Sequence, residues 1–250
     1  MPSSTENTEL GLYTRAPFTL HLEQGRSPVV LVCEHASAFI PPELNRLGLS
    51  EAAAKEHIAW DIGALKLALA LSEQLDAPLL AAEYSRLLID LNRPLNAPDS
   101  IPEQSEIYSI AGNQKLSEQT RRYREDCLYR PFQQQLARLI EQRLTSGHPV
   151  RLVAVHSFTP VYRGNARPWP IGILFGHAQT YAQRLINGLR QYPINIGINQ
   201  PYQITDDGDM TIPVHGDAQH IDAVLLELRN DGLRSEQDIK TWAKRLAPLL

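Results

Sequence analysis

Residues Pro28 to His35 read PVVLVCEH, a short apolar, β-branched run that closes on a glutamate and a histidine. A run of this kind, with no alternating polar positions, is the pattern of a strand buried on both faces. Working outward, the pattern repeats in Arg151 to His156 (RLVAVH) and Ala223 to Arg229 (AVLLELR). Pro78 to Tyr84 and Ile171 to Phe175 are further strand candidates, and Ile194 to Ile198 is extended. Leu87 to Leu91 either continues the Pro78 strand or forms a separate extended piece. Helical patterns fall between these runs. Ser50 to Asp76 has Ser50 as a candidate N-cap and Ile58, Ile62, Leu65 and Leu69 on one face. Ser117 to Thr145 carries Leu128, Phe132, Leu136, Leu139 and Ile140 on one side. Ala178 to Arg190 and Ser235 to Leu246 follow, with Ser235 and Asp238 placed as a capping box. Apolar strands separated by amphipathic helices predict an α/β fold, its sheet covered on both faces. Residues 1–15, rich in Ser, Thr, Asn and Glu, are expected to form a flexible tail, and 16–250 a single domain.

The bulk composition narrows the function. The 250 residues carry a net charge of −4, so there is no general basic character for nucleic acid or an anionic membrane. The cysteines are two, Cys33 and Cys127, too few for a disulfide scaffold and without a C-x-x-C pair. No signal-peptide core precedes Arg15, and the longest apolar runs fall short of a membrane span. A cytoplasmic protein acting on a small molecule is the expectation. The sequence leaves the oligomeric state open.

In open α/β folds, ligands gather beyond the carboxyl ends of the strands. Three strands end there in polar residues: Cys33-Glu34-His35, Val155-His156-Ser157 and Leu226-Glu227-Leu228-Arg229. Catalytic zinc takes three nitrogen or oxygen ligands and keeps one position for water. His35 and His156 could supply two of the three. Asp61 or His57, i and i+4 on the expected helix, could supply the third. Glu227 lies in an apolar strand, where it is either a general base or an ion-pair partner of Arg229 on the same face. Arg86, Asn92 and Arg93 form a second group, suited to a carboxylate because arginine meets that ion in bidentate geometry. The plain alternative pairs these arginines with Asp90 and Glu83. Arg163, in the loop after His156, is another candidate for a carboxylate. His215 and His220 flank a Gly-Asp turn just before the last strand, from which one of them could reach substrate. Nucleotide-binding glycine loops and a G-x-S-x-G elbow are absent from the sequence.

Taken in order, Val32–Ser37, His57–Ala64, Ser85–Arg93, Val155–Pro160 and Leu226–Asp231 resemble the N-formylglutamate amidohydrolase family. The resemblance implies a three-layer α/β sandwich around a mixed central sheet, similar to the zinc exopeptidases of the carboxypeptidase type. It also implies a divalent metal ion, zinc, held by His35 and His156, and Glu227 as general base toward metal-activated water. The substrate would be a small acidic N-acyl amino acid such as N-formyl-L-glutamate, its carboxylates met by Arg86, Asn92, Arg93 and Arg163. One departure bears on the metal site. The carboxypeptidase-type enzymes draw a histidine and a glutamate from one H-x-x-E motif, and here Ala38 stands three residues after His35. The carboxylate ligand must then come from elsewhere, from Asp61, with His57 as the fallback. Other N-acyl deacylases, a small carboxypeptidase and an inactive binding protein of the same fold are the competing expectations.

Overall fold

The structure is a computed structural model that describes residues 9–205 and 207–250. In chain order its strands and α-helices are β1 (Phe18–His21), β2 (Val29–Cys33), α1 (Ala64–Leu75), β3 (Leu79–Ala82), β4 (Gln104–Ser105), β5 (Tyr108–Ser109), α2 (Glu118–Arg124), α3 (Arg130–Thr145), β6 (Arg151–Phe158), β7 (Val161–Tyr162), β8 (Asn165–Ala166), β9 (Ile171–Leu174), α4 (Gln179–Leu189), β10 (Ile196–Ile198), β11 (Asp222–Arg229) and α5 (Glu236–Leu246). Seven of the strands form one sheet in the order β1-β3-β2-β6-β11-β9-β10. Its centre, β3-β2-β6-β11, is parallel, while β1 against β3 and β9 against β11 are antiparallel.

The sheet is mixed and sits between two apolar layers. On one face Val29, Leu31, Val153, Val155, Val224 and Leu226 pack with Leu67 and Leu71 of α1, Leu185 of α4 and Trp242 of α5. On the other, Val30, Val32, Leu152, Ala154 and Leu225 pack with Phe132, Leu136 and Ile140 of α3. The central strands are buried on both faces because helices cover both, which is why their sequences read as continuous apolar runs. The result is the expected three-layer α/β sandwich.

Several boundaries differ from the sequence expectation, each for a local reason. The helix expected over Ser50–Asp76 exists only from Ala64. Gly63 precedes it at φ +86°, and a Cβ there would lie 2.5 Å from the Leu233 Cβ. The chain before it follows turns, with the Asp61 backbone N–H donating to the His35 carbonyl at 2.9 Å. The Ser117–Thr145 helix is continuous but widens into a single π turn at Glu125–Tyr129. Pro131 follows in the first turn of α3. It cannot donate to a preceding carbonyl, and a widened turn accommodates that loss. Leu87–Leu91 is buried yet forms no strand. β1 escaped the sequence reading because its four residues are half-buried throughout and show no alternation.

Of the stretch expected to form a tail, residues 1–8 lie outside the described residues, and Glu9 to Arg15 rest on the domain. Glu9 is 3% exposed and Arg124 is 0% exposed. The Arg124 guanidinium donates to both Glu9 oxygens (2.9 and 2.6 Å), to the Leu88 carbonyl (2.8 Å) and to Asn113 Oδ1 (2.7 Å). Neutralising one partner of such a buried pair weakens charge-assisted bonds. Glu9→Gln should therefore lower the unfolding free energy by about 1–3 kcal/mol. Urea denaturation measures this, and an unchanged midpoint would mean that the segment adds nothing to the fold.

Candidate metal and catalytic site

Three neighbouring parallel strands bring the candidate residues together. Val32 of β2 pairs with Ala154 of β6, and His156 of β6 pairs with Glu227 of β11. Alternation from the packed positions places Glu34, His156 and Glu227 on the α3 side of the sheet. His35 lies just past the end of β2. Asp61 reaches the same point from the turn before α1, where its Oδ2 accepts the Ser157 backbone N–H at 3.1 Å. The Ser157 hydroxyl in turn donates to the Ile62 carbonyl at 2.9 Å. Both bonds pin the Asp61 turn to the end of β6.

His35, Asp61 and His156 thus form a buried cluster in which one ligand-capable atom from each lies within 4.8 Å of the others. The two imidazole rings cross edge to face with centroids 4.7 Å apart. His35 Nδ1 and His156 Nδ1 stand 3.5 and 2.9 Å from Asp61 Oδ2. Their outer nitrogens are held by separate carboxylates: His35 Nε2 by Asp90 Oδ1 at 2.7 Å and His156 Nε2 by Glu34 Oε2 at 3.0 Å. A carboxylate only accepts, so each Nε2 carries a proton, and each Nδ1 would turn a lone pair inward on giving up its own proton to a bound cation's charge. Carboxylates that orient histidines in this way are the usual support around a metal ion. The donor set of two imidazoles and a carboxylate fits zinc or a similar divalent ion. Asp61 is thereby the residue that joins the histidines. His57, the fallback, lines the cavity but lies outside the cluster, with Nε2 3.0 Å from Glu106 Oε2. The i, i+4 argument for that pair does not hold, because 57–62 is not helical.

The electrostatics concentrate charge at the cluster. Burial works against the charged form of Asp61, yet His35 and His156 hold its carboxyl well below the usual range. Burial likewise opposes charge on His156, but Glu34 and Asp61 raise its imidazole well above the usual value. The same contest leaves Asp90 low, through Arg86 and His35, and Glu34 low, through His156 and Thr211. Glu227 behaves in the opposite way. It is 6% exposed, its Oε2 has no hydrogen-bond partner among the described residues, and burial pushes its carboxyl up to about 8. The expected alternative of an ion pair with Arg229 is not formed, since Arg229 bonds Asp231 at 2.8 Å.

His35, Asp61, Asp90, His156 and Glu227 line one cavity of about 580 Å³, together with Arg86, Asn92, Arg93, Arg163, Arg167 and Tyr202. Arg86 is paired with Asp90, as the plain alternative expected, and it also reaches the cluster, with NH1 3.2 Å from His35 Nδ1 and 3.7 Å from Asp61 Oδ1. Arg93 sits between Asp99 (2.9 Å) and Asp209 (3.5 Å). Asn92 turns its amide to the neighbouring loop: Oδ1 accepts from the Met210 and Thr211 backbones, and Nδ2 donates to Asp209. Arg163 lies exposed at the mouth, its backbone N–H on Glu106. His215 is buried against Gln133 (2.7 Å), and neither it nor His220 lines the cavity.

Sequence reasoning missed Glu34, Asp90, Arg167 and Tyr202. Glu34 and Asp90 had a signal, each being a lone carboxylate in an apolar run (VVLVCEH and LLIDL) where burial demands a partner. Arg167 and Tyr202 had none, because their importance lies in contacts between distant loops.

Comparison with known proteins gives a consistent result. The family model for N-formylglutamate amidohydrolase matches residues 27–233. A solved structure of a gene product from Agrobacterium tumefaciens is 37% identical, covering 94% of this chain and 93% of that one, with a TM-score of 0.89. The N-formylglutamate amidohydrolase of Ralstonia eutropha JMP134 is 19% identical, covering 94% of this chain and 96% of that one, with a TM-score of 0.66. No curated protein is similar enough to count as a match. Among the described residues no helix is long and apolar enough to cross a membrane.

Proposed function

Because this chain belongs to the N-formylglutamate amidohydrolase family and is therefore an amidohydrolase, we propose that it removes the formyl, or a short acyl, group from an acidic amino acid such as N-formyl-L-glutamate in a metal-dependent reaction. The observation that carries this reading is the buried carboxylate of Glu227 beside the His35–Asp61–His156 cluster, its Oε2 without a hydrogen-bond partner among the described residues. An orphaned buried oxygen costs stability, and a residue kept at that cost belongs to the chemistry more readily than to the packing.

His35 Nδ1, Asp61 and His156 Nδ1 would hold a divalent ion, with zinc the choice for two imidazoles and a carboxylate. When bound, such an ion polarises an amide carbonyl and makes water more acidic. The remaining steps belong to the chain. Glu227 accepts the proton of the attacking water at Oε2 and passes it to the leaving amine nitrogen. Arg86, fixed by Asp90 with NH1 at the cluster, donates to the oxygen of the scissile carbonyl as charge develops there. Arg93 and Arg163 face the α-carboxylate of the bound amino acid, and Asn92 holds the loop at Asp209–Thr211 that closes this side.

The products are formate, or a short acid, and a free amino acid. Purified enzyme should release formate from N-formyl-L-glutamate in preference to an uncharged formamide. Equal rates would remove the acidic substrate from this reading, and no formate from either would remove the deformylase.

A further inference from the structure

Arg167 stands apart from the other arginines of the cavity. It is 8% exposed, yet among the described residues no carboxylate lies within ion-pair distance of its guanidinium. Its NH2 donates to the Tyr202 hydroxyl oxygen at 2.9 Å. Aromatic faces surround the rest of the group, with ring centroids 4.6 Å (Tyr162), 4.9 Å (Tyr202) and 5.6 Å (Phe158) from its central carbon. Arg86 and Arg93 are already compensated by Asp90, Asp99 and Asp209, and the exposed Arg163 is solvated. A buried cation is costly without an anion, and aromatic faces offset only part of that cost. Glu227, in the same cavity, feels its charge without forming an ion pair with it, so the guanidinium keeps donors free for an anion entering the cavity that it lines.

Tyr202 completes the site. Its oxygen accepts from Arg167, which leaves its own hydrogen free to donate. Burial and the neighbouring Glu227 raise its pKa, so the phenol keeps that hydrogen. Two donors thus stand side by side, the arrangement a carboxylate takes up. Their position is set by β6. Phe158 lies two residues beyond His156 on the same face, about 7 Å further along the strand. Arg167 sits beside its ring. That offset from the cluster suits a substrate whose amide and terminal carboxylate are separated by a short aliphatic chain.

We infer that Arg167 and Tyr202 form the subsite for the side-chain carboxylate of the acidic N-acyl amino acid, and so set the preference for a second negative charge. The inference rests on the proposed amidohydrolase reading, in which Arg93 and Arg163 meet the α-carboxylate only.

The test joins binding to kinetics. Glutarate and butyrate are titrated calorimetrically into the metal-loaded wild type, Arg167→Met and Tyr202→Phe. kcat/KM is measured for N-formyl-L-glutamate and N-formyl-L-glutamine. Arg167→Met should weaken glutarate binding and raise KM for N-formylglutamate on the order of 100-fold, far more than it changes the N-formylglutamine kinetics. Tyr202→Phe, a milder change at a half-exposed ring that keeps the aromatic wall, should cost about 10-fold in the same measurements. It keeps the test open should Arg167→Met not fold. Equal losses on both substrates, or glutarate bound as tightly by the variants as by wild type, would overturn the inference. So would a wild type that neither binds glutarate nor favours glutamate over glutamine. If wild type releases formate from neither compound while the variants lose glutarate, the amidohydrolase reading fails and the carboxylate subsite stands. If formate is released and selectivity is untouched in the variants, the subsite fails alone.

Discussion

Glu227→Gln should lower kcat by roughly 10²–10⁴-fold, the scale of general acid–base catalysis, while the protein keeps its metal content. The change preserves shape and removes the group that accepts the proton. Because Oε2 has no hydrogen-bond partner among the described residues, the amide breaks no bond seen at that atom. Burying a neutral amide also costs less than burying a carboxylate, so the variant should be no less stable than wild type. The combination matters: activity falls, while metal content and thermal midpoint hold. Near-normal turnover would make Glu227 a structural residue. A parallel loss of metal would make it part of the cation site.

Asp61→Asn should have the largest effect on the cation site. It keeps an oxygen for the Ser157 N–H but removes the charge that faces both imidazoles. Purified variant should contain little or no divalent metal, and turnover should fall by roughly 10³-fold or more, the scale of several kcal/mol of lost carbonyl polarisation. His57→Ala supplies the contrast. That side chain faces Glu106 rather than the cluster, so the metal should remain bound. The reverse pattern, metal kept in Asp61→Asn and lost in His57→Ala, would contradict the assignment of the third ligand.

How far the molecule could be read from its sequence depends on where the information lies. PVVLVCEH, RLVAVH and AVLLELR signalled their strands because double-sided burial makes a strand uniformly apolar. Adjacent parallel strands then bring their ends together, which is why His35, His156 and Glu227 could be named as a group. Asp61 was also named, but by a faulty argument. The helix periodicity invoked for it does not exist at 57–62, and the residue arrives through a turn hydrogen-bonded to His35 and Ser157. β1 and the β4–β5 and β7–β8 hairpins were illegible because short, half-exposed pairs carry no period. Glu34 and Asp90 were legible in principle, since a carboxylate inside an apolar run must have a partner. Arg167 could not be found at all. Of its aromatic neighbours Phe158 and Tyr162 precede it in the same stretch but Tyr202 comes from another, and only the folded chain shows that, among the described residues, no carboxylate stands within ion-pair distance of it.

The most direct test of the central claim is formate release from N-formyl-L-glutamate by purified protein of known elemental content, before and after chelation and after metal is restored. Formate released in proportion to bound divalent metal, lost with the chelator and recovered on adding zinc, is the predicted result. Undiminished formate release from protein shown to be metal-free, or no release from fully loaded protein, would contradict it.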